Sequence, residues 1–92
     1  MPGYVMNKED YLRRLGRIEG QVRGLQRQVE SDTYCIDVLT QISATTAALR
    51  SVAVGLLDEH IRHCVTAAGD DPSEAARLVE EATKAIERLI KS

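Results

Sequence analysis

From Glu30 to Ala68 the chain contains no proline and one interior glycine, Gly55, so nothing in this stretch forces a break in the backbone. The spacing predicts one continuous helix from about Tyr34 to Ala67. Phe and Trp are absent, the aromatic residues are Tyr4, Tyr11 and Tyr34, and β-branched residues do not cluster in alternating runs. No strand is expected, and the fold class is all-α.

Two shorter helices flank the long one. The first starts near Asn7, an acceptable N-cap followed by Glu9 and Asp10 in the first turn, and runs to about Glu30. Its apolar residues Leu15, Ile18, Val22, Leu25 and Val29 keep the three-four spacing of a bundle seam. Ser31, Asp32 and Thr33 form a polar turn able to cap the next helix. Ala68 to Asp71 ends the long helix, and Asp71-Pro72-Ser73-Glu74 opens the third with proline at a tolerated position. That helix carries Leu78, Ala82, Ala85 and Leu89 on one face, with Val79, Ile86 and Ile90 beside them. Short loops and facing seams predict an antiparallel hairpin of the first two helices, two such hairpins forming a four-helix bundle, and the third helix across its ends. A single domain over residues 1–92 has a marginal core as a monomer, so self-association is expected.

The chemistry sits on the long helix. His60 and Cys64 are four residues apart, hence one turn apart on one face, and can grip one ion together. Cys35, twenty-five residues upstream, would lie roughly 37 Å from His60 in the same helix. It can join them only from an antiparallel partner helix of a second copy. Cys35, Leu39, Ile42, Thr46, Leu49, Ala53, Leu56, His60 and Cys64 fall within an arc of about 100°, so the three candidate ligands share a packing seam. Pairing residue 35 with about residue 62 sets a two-fold axis near Ala48, where Ala47 and Ala48 permit close approach, and gives two equivalent sites per dimer.

Two thiolates and one imidazole make a soft, three-donor set that suits Cu(I) better than structural zinc, which takes four ligands. Zinc or cobalt would need a fourth donor, such as His63, Glu59 or water. Taken singly, Cys35 reads as a small buried hydrophobe, His60 as a core histidine and His63 as a solvated one. Together, Cys35, His60 and Cys64 point to metal or thiol chemistry. A nucleophilic enzyme built on the Cys–His pair would need an oxyanion loop and a substrate cleft, and neither is visible in the sequence.

Net charge is −2, but its distribution is uneven: residues 11–29 hold Arg13, Arg14, Arg17, Arg23 and Arg27 against the single acid Glu19. A basic helix on an acidic body suggests a phosphate-facing surface led by Arg13, Arg14 and Arg17, with Arg50 on the long helix as a further candidate. The plain alternative is a solvated face. Gly16, Gly20 and Gly24 form a ridge among these arginines that allows close backbone approach by another subunit or by DNA. No segment approaches the roughly 20 apolar residues of a membrane span, and the first residues lack the apolar stretch of a signal peptide. A cytoplasmic protein is expected, in a reducing compartment where the cysteines serve as thiols rather than as a structural disulfide.

The stretches RRLGRIEGQVRGLQRQVE (13–30), YCIDVLTQI (34–42) and LLDEHIRHCV (56–65), with the Cys35, His60 and Cys64 spacing, carry a further signal. Over nearly its whole length the chain resembles the copper-sensing repressors of the CsoR/RcnR family. The resemblance implies a disc-like homotetramer, a dimer of four-helix-bundle dimers without a helix-turn-helix, that binds operator DNA when metal-free and is released by Cu(I). It implies Cys35 of one subunit with His60 and Cys64 of another as trigonal ligands. It also implies that Tyr34 and Glu80 hydrogen-bond around His60, with Glu81 the neighbouring alternative.

Other branches of the family differ from this chain where the inducer is read. Nickel and cobalt sensors use a histidine near the N-terminus, which residues 1–10 lack. Formaldehyde sensors resemble the chain at Pro2 and Cys35 but have no thiol at the position of Cys64, and persulfide sensors lack the histidine. The runner-up readings are a thiol- or persulfide-responsive repressor of the same fold, and a helical copper buffer with no DNA role.

Overall fold

The structure, a computed structural model, describes residues 7–91, apart from the side chains of Ala67 and Ile90. Pro2 and Tyr4, singled out above, lie outside the described residues, as does the Ile90 side chain. Among the described residues, three helices account for the regular structure: α1 (Lys8–Glu30), α2 (Cys35–Ala68) and α3 (Pro72–Lys91). Among the described residues there is no strand, and no helix is long and apolar enough to cross a membrane.

Local chemistry explains the boundaries. Asn7 occupies the N-cap of α1 without a side-chain capping bond, and Glu9 and Asp10 lie in the first turn, where the helix dipole favours acids. At the other end the Ser31 hydroxyl donates to the Arg27 carbonyl at 2.8 Å, and the Thr33 N–H donates to the Gln28 carbonyl at 2.9 Å. The Ser31 hydroxyl therefore closes α1, where the sequence suggested that the polar turn would cap the following helix. Asp32 reverses the chain with φ of 57°, a left-handed conformation that a short polar side chain tolerates. The α2 helix then opens on the Tyr34 carbonyl, which accepts the Val38 N–H at 3.2 Å.

Gly69, at φ 56°, ends α2 in the left-handed position where a Cβ would be strained. Asp71 caps α3: its Oδ1 accepts the N–H groups of Ser73 and Glu74 at 3.0 and 3.3 Å, and Pro72 takes the first helical position, where no N–H is needed.

The chain divides into two compact units, with the boundary between Val52 and Ala53. In residues 7–52, α1 buries Tyr11 and Ile18 and half-buries Arg14, Gln21, Leu25 and Gln28, while α2 buries Thr45 and Val52 and half-buries Val38, Gln41 and Ala48. Both sets keep a three-four spacing. The Thr45 hydroxyl meets its burial by donating to the Gln41 carbonyl at 3.0 Å. This covered face is rotated from the predicted seam of α1: Leu15, Val22 and Val29 remain exposed, Val29 by 65%. The long stems of Arg14 and Gln21 serve as apolar cover in their place. On α2 the Leu39, Ile42 and Leu49 stripe is also exposed, at 52, 42 and 46%.

In the unit from Ala53 onward, the end of α2 packs on α3 through the buried residues Cys64, Ala68 and Ala82, with Leu56, Leu57, Leu78 and Leu89 half-buried. An apolar cavity of about 310 Å³ lies between them, lined in part by Ile61, Cys64, Val65, Leu78, Val79 and Ile86.

Candidate metal centre and basic face

One helical turn brings the Cys64 Sγ to 3.5 Å from the His60 Nε2, as the four-residue spacing requires. Cys64 is buried and His60 is half-buried, so the pair sits at the edge of the α2–α3 packing rather than in open solvent. The same ring nitrogen lies 3.2 Å from the Glu81 Oε1 on α3. An ionised carboxylate can only accept, so in this contact Nε2–H is the donor, and a neutral ring would then keep its lone pair on Nδ1.

Glu81, not Glu80, meets the ring. Glu80 instead lies 3.4 Å from the Lys84 Nζ. The reason is helical phase: at 100° per residue Glu81 stands about 60° from Leu78, on the border of the face packed on α2, whereas Glu80 stands about 200° away, on the outer side of α3. The second carboxylate oxygen of Glu81 is 3.6 Å from Arg77 Nη1, and Arg77 also hydrogen-bonds Glu74, its Nε lying 3.1 Å from Oε2. That bond is the main reason the Glu74 carboxyl is held below, and the Arg77 guanidinium above, its ordinary value. The sequence reading missed Arg77, although its i−3 and i+4 spacing to Glu74 and Glu81 was available.

Among the described residues, the side-chain hydrogen bonds of this pair are to each other and to Glu81, and the other residues named from sequence take no part in them. Cys35 is exposed at the first position of α2, next to Tyr34, which is 69% exposed. His63 is half-buried. Among the described residues of one chain, no group of three or more His, Cys, Asp and Glu side chains is able to hold a metal ion. One sulfur and one imidazole nitrogen, with a carboxylate already on the ring, fit a soft ion in kind but leave it one or two donors short.

The basic residues cluster in the unit of residues 7–52. Arg14 Nη2 donates to the Ser51 Oγ at 2.8 Å, its guanidinium is 3.9 Å from Asp10, and it lies over the Tyr11 ring at 5.8 Å. These contacts hold the side chain half-buried against α2. Arg13 is exposed and 3.5 Å from Asp10. Arg17 is exposed and, with Arg14, Gln21 and Ser51, lines a shallow groove between α1 and α2. Arg50 is exposed on α2, and Arg23 pairs with Glu19 at 2.8 Å. Among the described residues, a Cβ placed on Gly16 or Gly20 would meet nothing within 4 Å, and one on Gly24 only the Arg27 side chain at 3.8 Å, so no close contact among them requires glycine along the ridge.

Three helices, a Cys–His pair one turn apart and an arginine-bearing first helix make an all-α chain that carries two soft donors and a basic face. A family model described as metal-sensitive transcriptional repressor matches residues 7–91, and the chain belongs to that family. It is 57% identical over 91 residues to the copper-sensing transcriptional repressor RicR of Mycobacterium tuberculosis, a match covering 98% of this chain and 95% of the relative. It is 49% identical over 76 residues to the copper-sensing transcriptional repressor CsoR of Bacillus subtilis, covering 79% of this chain and 75% of that one. Its structure is similar to the crystal structure of the copper-sensing repressor CsoR with Cu(I) from Geobacillus thermodenitrificans. The TM-score is 0.80 at 45% identity, with 89% of this chain and 84% of that chain covered. The family is one of transcriptional repressors, not enzymes.

Proposed function

We propose that the protein is a copper(I)-responsive transcriptional repressor, one metal-sensing and DNA-binding domain that holds operator DNA when metal-free and releases it when Cu(I) binds. The observation that carries this reading is the contact of Cys64 and His60 at 3.5 Å, two soft donors on one helix turn with too few companions among the described residues of their own chain. The relatives and the similar structure named above are copper-sensing repressors.

Cys35 of the partner subunit is the missing thiolate. Within one continuous helix, residues 35 and 60 cannot meet, and the stripe that links them, Leu39, Ile42 and Leu49, is left exposed by the intrachain packing. An antiparallel second copy would cover that stripe and bring its own Cys35 to His60 and Cys64. The two thiolates and the His60 ring would then hold Cu(I) in a three-donor site, with the ring N–H kept on a carboxylate, for which Glu81 is in position and Tyr34 of the partner subunit is a further neighbour. A dimer of such dimers, in the cytoplasm, is the working assembly.

Arg13, Arg14, Arg17 and Arg50 form the DNA-facing surface. Phosphate contacts from such a face supply affinity that falls with salt, and with no recognition helix in the fold, sequence selection rests on DNA shape and a few groove contacts. Release requires Cu(I) to bind the DNA-incompetent conformation more tightly, through a coupling of about 1–3 kcal/mol. The His60–Glu81 contact ties ligation to the position of α3.

The test is an anaerobic titration of the reduced protein with Cu(I) while binding to its own upstream DNA is followed by fluorescence anisotropy. Release that saturates at about one copper per chain, as two sites per symmetric dimer require, supports the proposal. DNA binding that survives full copper loading points to a thiol sensor, and absence of specific DNA binding to a copper buffer.

A further inference from the structure

We propose that Arg77 is a positioning residue for the metal response, the cation that fixes the Glu81 carboxylate against the His60 ring, although it is neither a ligand nor part of the arginine face. The inference rests on the proposed function and adds to it a residue that sets how strongly copper is coupled to DNA release. The two oxygens of Glu81 are divided: Oε1 is 3.2 Å from the His60 Nε2, and Oε2 is 3.6 Å from the Arg77 Nη1. Arg77 is itself held from the other side by Glu74, one turn earlier on α3, through Nε at 3.1 Å. Four groups thus form one line from the first turn of α3 to the ligand pair.

Charge gives the line its purpose. A thiolate site holding Cu(I) between two sulfurs and an imidazole keeps one net negative charge, and a bare carboxylate beside it would be repelled. Arg77, 3.6 Å from the second oxygen of Glu81, offsets the charge of that carboxylate beside the site. An isolated exposed ion pair would contribute little. Here the guanidinium fork spans two carboxylates, which a point-like ammonium cannot reproduce.

The experiment measures DNA affinity with and without Cu(I) for wild type, Arg77→Ala, Arg77→Lys, Glu81→Gln and the Arg77→Ala/Glu81→Gln double variant, alongside 15N spectra of the histidine ring. Arg77→Ala should keep metal-free DNA affinity and its melting midpoint near wild type while the copper-induced weakening of DNA binding falls several-fold. Arg77→Lys should be intermediate, and the double variant no worse than Glu81→Gln alone. The His60 ring should lose its preference for the Nε2–H tautomer in Arg77→Ala, a change that a merely structural role would not produce. Wild-type release and wild-type tautomer balance in Arg77→Ala overturn the assignment to Arg77 while leaving the repressor reading intact. If wild type itself is not released by copper, the repressor reading fails, and the ring tautomer, which needs neither copper nor DNA, decides the role of Arg77 by itself.

Discussion

The imidazole Nε2 of His60 stands 3.2 Å from the Oε1 of Glu81, so the residue one turn before the Cys64 thiol also makes a polar contact from α2 to α3. Anything that draws the ring toward a metal must pull on that carboxylate or release it. If His60 holds the metal as proposed, ligation and the position of α3 are linked through one side chain.

His60→Ala follows from this link. The thiols should still take up some Cu(I), but the copper-induced loss of DNA affinity should shrink by most of its coupling, about 1–3 kcal/mol. Anisotropy measurements with the variant at full copper loading check this, and complete release would contradict the link.

Neutralising the basic face separates the two activities. Arg14→Ala should weaken DNA binding and lower the slope of log K against log salt by about 0.9 for each phosphate that the side chain had neutralised. The wild-type Arg14 side chain is already held by Ser51 at 2.8 Å, so little ordering is needed when DNA arrives. Combining it with Arg13→Ala and Arg17→Ala should abolish operator binding, while Cu(I) affinity measured by competition with a chelator stays near wild type.

A pH dependence is expected at the start of α3. The hydrogen bond from Arg77 lowers the Glu74 pKa from its ordinary value of 4.5. A depressed carboxyl binds fewer protons in the folded state, so its contribution is fully present above the unfolded value and is lost as pH falls through the folded one. Wild type should melt slightly above Glu74→Gln at pH 7, and the gap should close as the solution is taken below the ordinary carboxylate range. Thermal melts of both proteins across that range check the sign, and a gap that widens in acid would contradict it.

Local rules made the three helices and their limits legible in the sequence. The proline-free stretch gave α2, and Asp71-Pro72 gave the start of α3, where the Asp71 carboxylate caps as its residue type suggests. The nearness of His60 to Cys64 was equally legible, because four residues in a helix fix it. Questions of tertiary phase were harder. Leu15, Ile18, Val22, Leu25 and Val29 were spaced as the inner seam of α1, yet of these only Ile18 and Leu25 are covered within the chain, beside Tyr11 and the stems of Arg14 and Gln21. Hydropathy alone does not say which of two neighbouring stripes a chain covers by itself and which it leaves for another copy. The contact of Glu81 in preference to Glu80 depends in the same way on the rotation of α3, a single 100° step that apolar spacing locates only when the packed face is known. Arg77 was missed because its pairing looks, in sequence, like an ordinary exposed helix salt bridge.

The central claim is a copper site shared between two subunits, and mixing two defective subunits tests it most directly. Cys35→Ala and Cys64→Ala proteins, each alone, should lack the three-donor Cu(I) site. Co-refolded in equal amounts, they should form mixed dimers in which one of the two symmetric sites is intact, with His60 and Cys64 from one chain and Cys35 from the other. The account expects high-affinity Cu(I) binding, measured by competition with a chelator, to reappear on mixing. Mixed protein that binds no better than its two parents would contradict a shared site.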